Sequence, residues 1–329
     1  MRSHPRAALL VLLLIWTAVL LGAPLVGSQP ISLGDVLRGD PTATAIFWQL
    51  RLPRVLLALL AGAGLAVSGL SFQTLFRNEL AEPYTLGIAT GAALGAVLAL
   101  RLEEWGSRIA MTGMPLVALA SFVGAIAATS LVVGLAWRRK GNTATLLLAG
   151  IAVSLSCSAL ILFLQYLSDS TQTFRMVRWM MGGLSVVGYR EVMWTAPWVL
   201  GGAAVLLLLR WDLNLLLTGE ELAASRGVDL ARLRLQVLGV ASLMIGALVA
   251  VAGPIGFVGL MVPHMLRRWV GHDHLFLAPA CLLGGGAFLT LCDLAARTVM
   301  APAELPVGVL TALLGGPFFL WLLVLGRKD

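Results

Sequence analysis

Side chains able to transfer protons, hold a metal or attack a bond are few in this chain. The histidines are His4, His264, His272 and His274. His4 is terminal, and the other three cluster near the end of an apolar run around residue 270. His272 and His274 flank Asp273, a spacing that allows metal binding, although a solvated loop is the simpler reading. There is no His-Glu-x-x-His pattern to set two ligands and a base on one helix face, and no Gly-x-Ser-x-Gly nucleophile turn. A Gly-x-x-x-x-Gly-Lys-[Ser/Thr] loop is also absent, so the chain does not cradle nucleotide phosphates itself. Cys157, Cys281 and Cys292 all lie in apolar runs. They read as buried thiols, without metal-ligand spacing or a disulfide framework. No catalytic residue, metal or cofactor is expected.

Charge inside apolar spans is the other pointer to function in a chain of this kind. Asp293 and Arg297 stand four apart, within reach of a helical ion pair. A proton- or sodium-coupled carrier needs carboxylates at mid-span, and isolated ones are not seen. The driving force then comes from outside, or the protein is a passive channel. A polar island at 218–234 bears on that choice. Glu220, Glu221, Arg226, Asp229, Arg232 and Arg234 sit there between long apolar stretches. The pattern predicts two short helices, the first stopped at Gly227 and the second capped by Asp229. Such an island is suited to receive a push from a soluble partner; otherwise it is a solvated linker.

The elements that position these groups are membrane spans. Of 329 residues, 59% are hydrophobic and 12% charged, against roughly 25% charged in soluble domains. Apolar runs near the length that crosses about 30 Å of hydrocarbon recur throughout. The expected fold is all-α and polytopic, one transmembrane domain over 1–329. About ten helices are expected, at 7–27, 52–75, 84–101, 114–136, 144–167, 192–210, 234–253, 255–270, 275–299 and 306–326. The first run is longer than a signal-peptide core and reads as a retained span. The eighth is short and contains Pro263. Counting it as a crossing leaves most of the 23 Lys/Arg on the cytoplasmic side; omitting it gives near parity. The positive-inside tendency therefore favours ten crossings with both termini cytoplasmic. A short, broken helix is tolerable where neighbours shield its backbone.

In this topology 76–83, 138–140 and 211–233 are cytoplasmic, and 28–51, 102–113, 168–191 and 300–305 external. The segment 168–191 predicts a short amphipathic surface helix, either an interfacial anchor or a direct participant. Gly87, Gly91 and Gly95 leave one helix face as bare backbone, for close packing or a smooth cavity wall, the first preferred. Spans two to five and seven to ten each form a four-helix block, with no internal repeat. Basic residues are not interleaved with aromatics, so nucleic acid is not an expected partner.

Longer motifs carry a family resemblance. Arg51-Leu-Pro-Arg54, the Gly/Ala-rich stretch from Leu60, Arg77-Asn-Glu-Leu-Ala-Glu-Pro83 and Leu86-Gly-Ile-Ala-Thr-Gly91 resemble the FecCD family. So do Gly219-Glu-Glu-Leu-Ala, Gly253-Pro-Ile-Gly-Phe-Val-Gly-Leu, Val262-Pro-His264-Met-Leu-Arg267, Glu304-Leu-Pro-Val-Gly308 and Gly315-Gly-Pro317. The resemblance spans about 45–326. It implies the cobalamin-permease-like fold of type II ABC importers, which carry iron-siderophores, haem or cobalamin across the bacterial inner membrane. It further implies a second permease subunit, with a homodimer expected, two ATPase subunits, a periplasmic binding protein and surrounding lipid. Carried over by position, Gly219, Glu220, Glu221, Ala223 and Gly227 resemble the ATPase-coupling segment. Arg51, Arg54 and Arg297 resemble external arginines that receive the binding protein. Asn78, Leu80, Asn142 and Thr143 resemble the cytoplasmic gate. The family usually has proline where this chain has Glu79. His264 belongs to a motif shared regardless of cargo and is not expected to be a ligand. The alternative is a secondary or channel-type transporter needing no ATPase.

Overall fold

A computed structural model describes residues 5–27, 29, 31–84, 86–102, 116–137 and 143–325. Its helices are α1 (Pro5–Gly22), α2 (Leu33–Leu37), α3 (Pro41–Ala45), α4 (Leu52–Leu75), α5 (Ile88–Leu102), α6 (Leu116–Trp137), α7 (Thr143–Tyr166) and α8 (Ser170–Met180). They continue as α9 (Arg190–Leu208), α10 (Arg210–Leu217), α11 (Glu220–Ser225), α12 (Leu230–Ala252), α13 (Val258–Val270), α14 (His274–Thr298) and α15 (Val307–Leu325). Among the described residues there is no strand, and seven helices are long and apolar enough to cross a membrane. With the shorter apolar α5 and α15, and with α13, they match the ten expected spans. "Outer" below means the end carrying Arg54 and Glu304, and "inner" the end carrying α11, following the charge-based orientation.

α4 lies at the centre. In its apolar window 83% of residues are buried, against 17% for α1 at the periphery. It packs on α14, α13, α9 and α12, so the two four-helix blocks seen in sequence are not separate packing units. Glycine makes the approach possible. A Cβ on Gly62 would run into the Gly285 carbonyl of α14, and one on Gly69 into Gly259 of α13. Lipid tails are as apolar as leucine, so such helices are held by van der Waals contact at close range, which small residues permit. The same rule governs Gly91 and Gly95 of α5. Their faces press on Gly124, Ala128 and Ala120 of α6. Close packing, and not a cavity wall, is their role.

Proline and backbone breaks shape the rest. Pro53 lacks the N–H that would bond one turn back, and the turn before it, Ile46–Arg51, is π-helical. Two passages are only partly helical. Residues 76–84 and 86–87 precede α5, and 253–257 precede α13, which follows a left-handed Phe257 with φ 67°. At ~1.5 Å per residue α13 is about 20 Å long, short of a bilayer core, so the eighth passage is half helix and half irregular chain. Glu82 accepts the Phe257 N–H, joining the two irregular segments. α8 is the surface helix expected at 168–191. Asp169 caps it by accepting the Gln172 N–H at 2.8 Å, and Met176 anchors it fully buried. All three cysteines are buried and free.

The backbone contacts of α4 yield a direct test. Gly62→Ala and Gly285→Ala should lower the thermal transition of the detergent-solubilised protein, because a carbonyl cannot yield to a methyl group. Gly134→Ala and Gly239→Ala have open space at Cβ and should leave it unchanged or slightly raised. Calorimetry or fluorescence melting of the four variants reads the difference.

Candidate functional site

The polar side chains gather at the two ends of α4. At the outer end Arg54 grips Asp293 of α14 with Nε 3.0 Å from each carboxylate oxygen and Nη2 2.9 Å from Oδ1. Its Nη1 donates to Glu304 at 2.8 Å. Asp293 is fully buried, and Arg297 stands farther off, its Nε 3.7 Å from Oδ2. The helical pair expected from the i, i+4 spacing exists, but Arg54 is the closer partner.

The three arginines expected to face a binding protein do meet at this end, yet they are not exposed. Arg51 and Arg297 are 7% and 4% exposed. Arg51 donates to the carbonyls of Pro24 at 3.3 Å and Leu25 at 3.1 Å, and also to Gln29. Arg297 donates to the Ala23 carbonyl at 3.2 Å. The chain following α1 thus folds over both guanidinium groups and offers carbonyls to them. Gly27 permits this, since a Cβ there would strike the Arg51 guanidinium. A buried cation needs such partners. Arg54 borders an open cavity.

At the inner end Gln73 and Thr74 of α4 begin two networks. Gln73 donates from Nε2 to the Gly259 carbonyl at 3.1 Å and accepts from Arg267. Arg267 also lies 3.3 Å from Glu79, whose other oxygen is 3.5 Å from His264 Nδ1. Glu79, where the related family has proline, therefore ties the 76–80 turn to α13. Sequence reading noted its charge but had no means of naming the partners. Asn78 accepts the Leu80 N–H at 2.9 Å, and Leu80 is exposed. Of the other expected gate residues, Asn142 lies outside the described residues and Thr143 opens α7.

The second network runs through His274, which is buried and not in a solvated loop. Its Nδ1 is 2.9 Å from Asn214 Oδ1 and its Nε2 2.9 Å from Thr74 Oγ1. An amide oxygen only accepts, so Nδ1 carries the proton and Nε2 receives the threonine hydroxyl. Asn214 also accepts the His274 backbone N–H at 2.9 Å and donates to Asp273 at 2.7 Å. Among the described residues no cluster of histidine, cysteine or carboxylate could hold a metal. The network instead joins α10, α14 and α4.

Asn214 belongs to α10, which leads into the polar island. The island differs from the two short helices predicted. α11 is the first, bounded by Gly219 at φ 123° and Gly227 at φ 90°. Asp229 does cap a helix, accepting the Arg232 N–H at 3.0 Å, but that helix is the long span α12. Residues 211–217, read as loop, are helical because only a turn at Leu209 separates α10 from α9. Within α11, Ala223 is fully buried and seats the helix, while Glu220 pairs with Arg234 at 2.8 Å. Glu221 and Leu222 face outward, Leu222 at 52% exposure.

A central glycine-packed span, two half-irregular passages and a short polar helix at one end describe a polytopic helical membrane protein. The comparisons agree. The model of the FecCD transport family matches residues 10–325, and the chain belongs to this family. It is 40% identical to the hemin transport system permease protein HmuU of Yersinia pestis, over 100% of this chain and 98% of that one. It is also 40% identical to the vitamin B12 import system permease protein BtuC of Shigella boydii, over 92% and 90%. A solved chain described as an inward-facing conformation of a metal-chelate type ABC transporter superposes with a TM-score of 0.87. That match has 32% identity and covers 96% of this chain and 98% of the other.

The outer ion pair gives the second test. Removing one partner of a buried pair costs about 3–5 kcal/mol, whereas replacing both with apolar groups is often neutral. Arg54→Met or Asp293→Leu alone should sharply reduce folded yield and melting temperature, and the double variant should recover most of the loss. A double-mutant cycle in detergent measures the coupling.

Proposed function

We propose that this chain is the permease subunit of an ATP-driven importer that moves an iron chelate, haem or cobalamin inward by alternating access. Two copies of the chain enclose one path, two ATPase subunits sit at the inner end, and a periplasmic binding protein delivers cargo at the outer end. The observation that carries the reading is the outward face of α11, Glu221 and Leu222, on a helix that buries Ala223 and packs on α10, the helix that carries Asn214. A push on α11 reaches α10, and Asn214 hands it through His274 to Thr74 of α4. The family and the two import permeases at 40% identity support the same reading. α15 leaves Leu313, Leu320, Trp321 and Val324 exposed, an apolar face suited to a second copy. Asp293, buried within the α14 span, is paired with Arg54 and so does not offer a self-sufficient carrier a free carboxylate.

Co-expression with its ATPase subunit tests the assignment. Wild-type permease should co-purify with the ATPase. Leu222→Glu and Glu221→Lys should weaken that complex and cut cargo-stimulated ATP hydrolysis severalfold, with melting temperature unchanged. Asn214→Ala should retain the complex and basal hydrolysis while losing stimulation by loaded binding protein. Full stimulation in all three variants would refute the proposed route.

A further inference from the structure

At the inner end a cavity of about 180 Å³ lies among the end of α4, the 76–80 turn, α10, α13 and the start of α14. Leu70, Leu217 and Leu277 supply apolar wall, while Arg77, Glu79, Arg267 and His272 supply charge and donors. The charges do not balance: Glu79 is the one carboxylate of the lining, against two guanidinium groups. Asp273, next to His272, lies outside the lining and is engaged elsewhere, accepting from Asn214 at 2.7 Å and from the Leu275 N–H at 2.8 Å. Glu79 is also a loose counterion. Its side chain is 61% exposed and is shared between His264 and Arg267. Arg267 Nη1 stands 3.3 Å from Glu79, yet it is buried and has no hydrogen-bond acceptor among the described residues. A buried donor in that state gains from any acceptor that reaches it. Arg77 is the second cation. It follows the C-cap Phe76 of α4 with a left-handed φ of 47°, a position that glycine or asparagine fills at less cost. Its side chain is exposed and, among the described residues, has no ion-pair or hydrogen-bond partner. Backbone outliers of this kind gather at ligand sites.

We infer that this cavity binds a tetrahedral oxyanion of the phosphate class, clamped by Arg77 and Arg267, with Glu79 as the internal carboxylate that competes for the same cations. Guanidinium forks match phosphate oxygens two at a time, and His272 adds a donor at the rim. A liquid water takes up about 30 Å³, so the cavity has room for a phosphate group. Such a group has two sources at this end, free phosphate in the aqueous phase and the headgroup of an anionic phospholipid. The occupant joins the end of α4 to α13 beside the Thr74–His274 contact, and so stiffens the junction where the relay ends. The site belongs to this chain alone and does not depend on the importer reading.

Melting of the purified full-length chain tests the inference, in detergent with inorganic phosphate titrated against chloride at constant ionic strength, and in nanodiscs of phosphatidylglycerol or phosphatidylcholine. Binding to the folded state should raise the melting temperature saturably, by mass action. Arg77→Gly removes the guanidinium and suits the left-handed backbone, so it should fold as well as wild type and lose the rise. Glu79→Gln removes the competing carboxylate and should lower the concentration of phosphate at half-effect ~10-fold, about one charge-assisted hydrogen bond. An Arg77-dependent rise with phosphate in detergent identifies the free ion as occupant. A rise confined to phosphatidylglycerol nanodiscs, and again dependent on Arg77, identifies the lipid headgroup. Phosphate also stabilises proteins through exclusion from their surface, so an equal rise in wild type and Arg77→Gly would overturn the inference. No Arg77-dependent rise with either phosphate or phosphatidylglycerol would overturn it as well.

Discussion

The structure depends on how closely α4 approaches its neighbours. In lipid there is no hydrophobic gain from bringing apolar helices together, so the contact must come from dispersion at short range. Gly62 and Gly69 place α4 backbone against α14 and α13. That contact also fixes where the ends of α4 lie. Arg54 at the outer end reaches Asp293, and Gln73 and Thr74 at the inner end reach Arg267 and His274. A helix of 24 residues spans about 36 Å. One stiff element thereby joins the cavity at the outer face to the relay below α11.

Alternating access asks such a bundle to move without exposing unpaired backbone to lipid. The two half-irregular passages meet that demand by bonding to each other and to neighbouring chain. Glu82 accepts the Phe257 N–H, Ser154 donates to the Tyr84 carbonyl at 2.8 Å, and Gly183 N–H bonds to the Ala252 carbonyl at 2.7 Å. Irregular backbone in transporters occurs where it lines a path or lies inside protein. Glu79 adds a contact of its own at the inner end, bridging His264 and Arg267. Without proline at that position the turn is held by charge instead of by ring geometry.

Much of this was legible in the sequence, because hydrophobic length, glycine spacing and capping residues are local signals. Ten spans, the α8 surface helix, the left-handed Gly227 and the close-packing face of Gly91 and Gly95 could all be read directly. What escaped depends on contacts between distant residues. Arg54 finds Asp293 239 positions away, so the nearer Arg297 was taken as its partner. Arg51 and Arg297 were read as exposed because only the folded chain shows the carbonyls of Ala23, Pro24, Leu25 and Gln29 lying over them. Asn214 and His274 joined no motif by spacing, and their role emerges only where α10 crosses α14. The second half of the polar island was misread because the polar first turns of α12 do not look like a membrane span.

The central claim is that cargo movement is driven from the inner end by nucleotide. Uptake into proteoliposomes tests it most directly, with permease and ATPase subunits reconstituted, loaded binding protein outside, and radiolabelled haemin or cyanocobalamin offered in turn. The account predicts accumulation of one of these chelates above its external concentration, only when ATP is accessible to the ATPase subunits. Equal accumulation by the permease alone, or accumulation driven by an ion gradient without ATP, would contradict it.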